Sequence, residues 1–168
     1  ERKFKFPITN DDLFAELNVM NHTEVESRYE IELEDYVKKV QIEGRVLGDI
    51  VRNHIIPTAF KYQNLLIENI KGLKDIFGDS YEELAAEQIL ILKKTSMHVN
   101  ELNAKLHAMM DARKEANSLD SVEKMAYAYC DNVKPYFDEI RYHADKLELM
   151  VDNELWTLTK YRELLFTR

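Results

Sequence analysis

The fold class is decided by one stretch, residues 23–50, which reads TEVESRYEIELEDYVKKVQIEGRVLGDI. Its apolar residues recur at spacings of three, four or seven, as expected for a helix with one buried face. They are Tyr29, Leu33, Tyr36, Val40, Leu47 and Ile50. Thr23 followed by Glu26 fits a capping box, in which side chains satisfy the free amide groups at a helix start. The stretch predicts a long amphipathic helix that begins at Thr23.

Two glycines, Gly44 and Gly48, lie one turn apart in this helix. Each glycine costs about 1 kcal/mol in a helix interior, so a compensating contact is expected. A closely packed neighbouring helix would supply that contact. The alternative is a phosphate-binding loop, which requires a flanking strand. We expect helix packing.

Pro57 interrupts the apolar pattern without ending it. Proline removes an amide donor and clashes with the preceding turn of a helix. The apolar series resumes at once with Ala59, Tyr62, Leu66, Ile70, Leu73 and Phe77. We therefore expect one kinked helix over residues 23–77, with a clean break at Pro57 as the alternative. Gly78 is expected to follow its end.

A second helix is expected over residues 80–116. Ser80 and Glu83 fit another capping box. The apolar stripe of this helix comprises Tyr81, Ala85, Leu92, Val99, Leu102, Leu106 and Met109.

A third helix is expected over residues 121–151, capped by Ser121. Its apolar stripe comprises Val122, Ala126, Tyr129, Val133, Ile140, Ala144, Leu147 and Val151. Pro135 falls inside this pattern, so a break is expected near Val133.

The two ends of the chain are expected to be less regular. Residues 1–22 form a lead-in, in which Asn10 caps a short helix that ends near Leu17. Residues 152–168 form an irregular tail with one short helix at Tyr161–Leu165. Trp156 is expected to anchor this tail, and a hot spot for a binding partner is the alternative.

Together these patterns indicate an all-α fold in a single domain, residues 1–168. Four glycines and three prolines amount to far fewer turn formers than the usual share of ~12%. Arms of about 35 residues reach about 50 Å at about 1.5 Å per residue. Short connections make neighbouring helices antiparallel. We expect an elongated antiparallel helical bundle of about three long arms, with a kink at Pro57 and an irregular C-terminal tail.

The charge is concentrated near the N-terminus. The chain has a net charge of −8, which argues against a nucleic-acid-binding surface. Residues 10–35 contain nine acidic residues and one basic residue, Arg28. We interpret this segment mainly as a solvated helix face, with docking of a basic partner as the alternative. The sequence contains no membrane segment or signal peptide and a single cysteine, so we expect a cytoplasmic protein.

No catalytic, cofactor-binding or metal-binding residue is assigned from the sequence, because the motifs that would indicate such sites are missing. Glu139 and His143 are interpreted as a surface pair one helical turn apart. His98 and His107 face roughly opposite sides of one helix and are expected at the surface or at the edge of the bundle. Cys130 is expected to be buried and inert.

Acidic residues at 30–35 are the remaining candidates for acid–base chemistry. They are Glu30, Glu32, Glu34 and Asp35. We interpret them as a solvated helix face on which Glu34 pairs with Lys38 and Asp35 pairs with Lys39.

Two blocks of the sequence resemble the C-terminal region of type III glutamine synthetases, the large bacterial form. The first block, within residues 18–57, contains SRYEI at 27–31, EDYVK at 34–38 and IIP at 55–57. The second contains DNELW at 152–156 and KYRELLF at 160–166. The tail departs from the family, because WTLT stands at 156–159 where the family often has WPLP. This departure leaves the backbone path of the tail open.

The resemblance implies a parent enzyme that joins ammonia to glutamate using ATP and divalent metal ions such as Mg²⁺, and that assembles into large rings. The nucleotide and metal motifs of that family, including Asn-Gly-Ser-Gly, have no counterpart in this sequence. The resemblance therefore implies an inactive accessory domain, whose partners are the catalytic domain of the same chain and neighbouring subunits of a ring. The alternative is a free-standing coiled-coil interaction module.

Overall fold

A computed structural model describes residues 19–166, and this part of the chain contains helices and no β-strand. The predicted all-α class is confirmed. The helices are α1 (His22–Ile50), α2 (Ile56–Phe77), α3 (Tyr81–Leu84), α4 (Ala86–Asn117), α5 (Val122–Ala128), α6 (Pro135–Met150) and α7 (Tyr161–Leu164). The extended lead-in and the predicted helix from Asn10 to Leu17 lie outside the described residues.

The described chain divides into two compact units. The first unit comprises residues 19–44 and 109–136, and the second comprises residues 45–108 and 137–166. Among residues 19–166, no helix is both long and apolar enough to cross a membrane.

Helix α1 begins one residue earlier than predicted, because a different pair of side chains caps it. The Asn21 amide donates to Glu24 Oε2 at 2.8 Å, and the Glu24 amide donates to Asn21 Oδ1 at 3.0 Å. The capping box assigned to Thr23 and Glu26 is therefore wrong. Asparagine is at least as effective at an N-cap as threonine, so Asn21 sets the helix start at His22.

The other predicted helix ends have mixed outcomes. Gly78 is confirmed at the end of α2, where its φ of 54° is a conformation that glycine adopts without strain. Ser80 is wrong as a capping residue, because it lies in a 3₁₀ turn, Gly78–Ser80, with helical dihedral angles. Ser121 takes the extended backbone of an N-cap, but its side chain makes no capping hydrogen bond to any described residue.

Each proline inside a helical pattern is preceded by a π-helical turn. These turns are Val51–Ile55 before Pro57 and Tyr129–Val133 before Pro135. In each case the residue before the proline donates its amide five residues back, Ile56 to the Val51 carbonyl and Lys134 to the Tyr129 carbonyl. The wider turn keeps the preceding amides bonded where the proline ring would otherwise clash with the turn before it.

The predicted break near Val133 is therefore wrong. Lys134 has helical dihedral angles (φ −58°, ψ −36°) and its amide lies 2.9 Å from the Tyr129 carbonyl oxygen. An interruption appears instead at Ala85, which the sequence placed inside one continuous helix. Ala85 forms a turn between α3 and α4, although its amide still donates to Tyr81 and its carbonyl still accepts from Ile89.

The cores of the two units are built mainly from the predicted apolar stripes. The buried apolar residues of the first unit are Leu33, Val37, Val40, Met109, Ala116, Ala126, Tyr129 and Val133. Those of the second unit are Val51, Ile55, Ala59, Ala85, Val99, Leu102, Leu106, Ile140, Leu147 and Val151. Phe77 closes the predicted stripe of α2 but lies about half exposed.

The close approach predicted for the glycines is confirmed at Gly48. A β-carbon built there would lie 3.6 Å from Leu106 Cδ1. That distance is ordinary van der Waals contact, so α4 packs directly against the backbone of α1 at this position.

Candidate functional site

A pair of histidines forms an unexpected polar contact in the core of the second unit. His98 on α4 and His143 on α6 bring their Nδ1 atoms to 3.0 Å. His98 is only 8% exposed, so the prediction of a surface histidine is wrong there. The reason is its position on α4, where Thr95, Val99 and Leu102 are also buried. His107, also on α4, is exposed as predicted.

The geometry of this His98–His143 pair indicates a hydrogen bond between the two rings. The ring centroids are 5.3 Å apart, which is about the nitrogen–nitrogen distance plus one ring radius at each end. The two nitrogens therefore lie close to the line that joins the rings. One Nδ1 must carry a proton and the other must offer a lone pair, because two neutral acceptors or two protonated donors cannot bond.

Aromatic and basic groups surround the pair. The Tyr142 ring meets His143 edge-on at 5.1 Å between centroids, and Lys146 Nζ lies 5.4 Å from the centre of the Tyr142 ring. Burial lowers the pKa of His98 below its ordinary value, and the positive charges of His143 and Lys146 lower it further. This site therefore disfavours a charged His98.

Glu139 does not act as the partner of His143 that the sequence predicted. Its carboxylate Oε2 lies 2.6 Å from Lys105 Nζ, in an ion pair between α6 and α4. The spacing of Glu139 and His143 was correct for a pair on one helix face. A basic side chain on the neighbouring helix takes the carboxylate instead.

The C-terminal tail is attached through Lys160, which is only 8% exposed. Its ammonium donates to the Glu148 carbonyl at 2.8 Å and to the Val151 carbonyl at 3.4 Å. These carbonyls lie at the C-terminal end of α6, where backbone acceptors lack helical partners. Lys160 Nζ also lies 5.7 Å from the centre of the Trp156 ring. The predicted anchor Trp156 thus acts together with a lysine that the sequence did not single out.

The short helix predicted in the tail is confirmed as α7, Tyr161–Leu164. The Lys160 amide at its start donates to Glu163 Oε2 at 3.2 Å. Beyond it, Leu165 and Phe166 are 80% and 82% exposed. Two consecutive apolar side chains therefore face solvent at the end of the described residues.

A second polar contact, in the first unit, centres on the exposed Asn117 at the end of α4. Its Oδ1 accepts a hydrogen bond from Tyr129 Oη at 2.7 Å and another from Gln41 Nε2 at 2.9 Å. We call this set the Asn117 junction. It joins α1, the end of α4 and the π-helical turn at Tyr129.

Two further tyrosines of the first unit contact polar partners. Tyr29 Oη donates to Glu123 Oε1 at 3.1 Å, and burial together with this carboxylate raises the pKa of Tyr29 to about 12. Burial also raises the pKa of Tyr36, and the thiol of Cys130 raises it further. Cys130 is partly buried, whereas the sequence predicted full burial.

The acidic face of α1 is exposed, as the sequence predicted. Glu30, Glu32, Glu34 and Asp35 are all exposed. The predicted ion pair between Glu34 and Lys38 is confirmed at 3.0 Å. Two large apolar side chains of α1, Ile31 and Ile42, are also exposed.

No group of three or more His, Cys, Asp or Glu side chains within residues 19–166 is placed to hold a metal ion. The assignment of no catalytic, cofactor-binding or metal-binding residue stays a prediction.

Comparison with known proteins connects the chain to one family. A family model described as the glutamine synthetase C-terminal domain matches residues 7–74. The chain is 46% identical over 151 residues to a glutamine synthetase of Bacteroides fragilis (strain YCH46), an alignment that covers 89% of this chain and 21% of that protein.

Two more distant relatives show the same coverage. The chain is 33% identical over 164 residues to the type-3 glutamine synthetase of Dictyostelium discoideum, covering 95% of this chain and 22% of that protein. It is 26% identical over 156 residues to a glutamine synthetase of Butyrivibrio fibrisolvens, covering 93% of this chain and 22% of that protein. The chain spans about a fifth of the length of the curated relatives it matches.

Proposed function

Because this chain belongs to the family of glutamine synthetase C-terminal domains, we propose that it is the non-catalytic accessory and assembly domain of a type III glutamine synthetase. The strongest support for this proposal is the share of this chain and of each relative that the alignments cover. Nearly the whole chain aligns, yet it accounts for only 21–22% of each relative's length. The type III assignment is supported by the similarity to the type-3 glutamine synthetase of Dictyostelium discoideum.

The reaction of the parent enzyme is then the ATP-dependent ligation of ammonia to glutamate. ATP and Mg²⁺ are bound by the catalytic part of the longer protein and not by this segment. The helices of this segment serve as architecture, packing on the catalytic part and supporting a ring of identical subunits.

Two exposed surfaces are proposed as the contact sites. The first is the outer face of α1, where Ile31 and Ile42 stand among carboxylates. The second is the end of the tail, Leu165 and Phe166, which Lys160 attaches to α6. Large exposed apolar side chains with a polar surround are typical of protein–protein contact sites.

A synthesis assay tests whether the segment lacks activity. The purified chain is incubated with glutamate, ammonium, ATP and Mg²⁺, with the intact Bacteroides fragilis relative as the positive control. We expect no glutamine from the chain alone. Glutamine formation that scales with the concentration of the chain would refute the non-catalytic role.

An association assay tests the contact surfaces. The Bacteroides fragilis relative is shortened by the fifth that aligns with this chain, and binding of the separate chain to it is measured by sedimentation. Phe166→Ser and Ile31→Ser are expected to weaken binding, because each removes an exposed apolar side chain. Ile76→Ser is the matched control, since Ile76 is exposed on α2 outside both surfaces. Equal binding by all three variants would contradict the assigned surfaces.

A further inference from the structure

The His98–His143 pair brings two histidine rings together in a partly buried contact. It joins α4 to α6 through a nitrogen–nitrogen distance of 3.0 Å. Histidine is the side chain whose ordinary charge change falls between pH 5 and 8. A hydrogen bond between two such rings depends on how many protons the pair holds.

We propose that the His98–His143 pair is a pH-responsive contact, closed while one Nδ1 proton is shared between the rings and opened in acid when both Nδ1 atoms are protonated. With both rings neutral, one Nδ1–H donates to the other Nδ1. One added proton leaves that bond intact, because an imidazolium donates to a neutral imidazole. A second added proton leaves two donors and two positive charges face to face, and no hydrogen bond can form.

The surroundings of the pair oppose the second proton. His98 is only 8% exposed, and burial disfavours its charged form. Lys146 on α6 adds a positive charge that acts on His98. Tyr142, also on α6, presents its ring edge-on to His143. Glu139 on α6, four residues before His143, is paired with Lys105 on α4.

A contact between α2 and α4 lies near the pair in sequence. Gln63 on α2 donates to Ser96 Oγ at 2.8 Å, two residues before His98 on α4. Neither the amide nor the hydroxyl changes charge in mild acid, so this contact is expected to persist on acidification.

The direction of the pH effect follows from proton linkage. The pKa of His98 is lowered in the folded chain, so the unfolded chain binds more protons in mild acid. The stability that the pair contributes is fully present above the ordinary histidine pKa of about 6.5 and is lost as the pH falls below it. For each proton that the folded state excludes, the unfolding equilibrium constant rises by up to about tenfold for every unit by which the pH falls.

Titration of the histidine ring resonances by NMR tests the proposal on the unaltered full chain. From pH 8.5 to 4.5, we expect the His98 resonances to change below the ordinary histidine pKa of about 6.5, because burial and the neighbouring positive charges lower the pKa of His98. A His98 curve centred at or above that value would overturn the proposal.

The variant His143→Asn tests the coupling between the rings. Without a positive neighbour, the titration midpoint of His98 is expected to move to higher pH. His107→Asn is the matched control and should leave that midpoint unchanged. A His98 midpoint that stays in place, or falls, in His143→Asn would contradict the coupling.

Unfolding by urea at several pH values tests the effect on stability. The unfolding equilibrium constant of the unaltered chain should rise more steeply below pH 6.5 than that of His98→Leu, which keeps the site filled but cannot be protonated. Equal slopes for the two proteins would overturn the proposal. If His98→Leu does not fold, the ring titration of the unaltered chain decides by itself. None of these outcomes depends on the proposed function.

Discussion

The Asn117 junction of the first unit and the His98–His143 pair of the second unit are polar contacts made by different chemical groups. Each joins side chains of different helical segments. In the junction, Asn117 Oδ1 accepts from Tyr129 and Gln41. In the pair, two imidazole nitrogens share a proton at 3.0 Å. Amide and phenol groups keep their charge between pH 5 and 8, whereas imidazoles do not.

The difference shows that the chemical groups of a polar contact determine how helix packing responds to pH. The junction is expected to contribute the same stability across that pH range. The pair is expected to contribute less as the pH falls. Substitutions in the two contacts should therefore differ in how much they change the free energy of unfolding, and in how that change depends on pH.

The largest effect is expected for Tyr129→Ala. Tyr129 is fully buried, and truncation of a large aromatic side chain in a core costs about 3–5 kcal/mol. The difference in the free energy of unfolding from the unaltered chain, measured with urea, should be the same at pH 8 and pH 5.5. A loss that differs by more than about 1 kcal/mol between these pH values, the worth of one hydrogen bond, would contradict the contrast between the two contacts.

A smaller effect is expected for Tyr129→Phe, which removes only the phenol hydroxyl. One hydrogen bond is worth about 1 kcal/mol, and Asn117 Oδ1 still accepts from Gln41. The double variant with Gln41→Ala should cost no more than the sum of the single changes, because Asn117 is exposed and water can replace both donors. A cost well above that sum in urea unfolding would contradict this description of the junction.

A gain in stability is expected for Gly48→Ala in the second unit. The added β-carbon meets Leu106 Cδ1 at 3.6 Å without a clash, and alanine is more favourable than glycine in a helix by up to about 1 kcal/mol. The pH dependence of the free energy of unfolding should stay unchanged, since no titratable group is altered. A destabilised variant would mean that α4 packs more tightly on Gly48 than described.

The smallest effect is expected for Lys38→Ala. Its ion pair with Glu34 spans 3.0 Å but is exposed on both sides, and such pairs within a helix contribute about 0.3–0.5 kcal/mol. Thermal unfolding at low and high salt should show a shift that nearly vanishes at high salt. A larger, salt-insensitive loss would assign Lys38 to the packing of the first unit.

The sequence predicts the all-α class and most of the core, because apolar spacing records which helix face is buried. Tyr129, Leu106 and Leu147 are buried as that spacing predicts. The same spacing does not indicate which side chains on different helices contact each other. His98 has the position of a core residue on α4, and its pairing with His143 depends on how α4 and α6 pack.

The response to the two prolines could not be predicted either. A proline in a helical pattern indicates a break or a kink. The π-helical turns at Val51–Ile55 and Tyr129–Val133 instead keep the chain helical. Lys160 was missed for a similar reason, because an exposed lysine is the usual case and its carbonyl partners on α6 are distant in sequence.

The central claim, that this segment is an assembly domain, is tested most directly on the Bacteroides fragilis relative. The fifth of that protein that aligns with this chain is removed, and the particle mass in solution is measured by light scattering beside the intact protein. We predict that the shortened protein gives a smaller particle with fewer subunits. A shortened protein that keeps the full number of subunits of the intact enzyme would contradict the account.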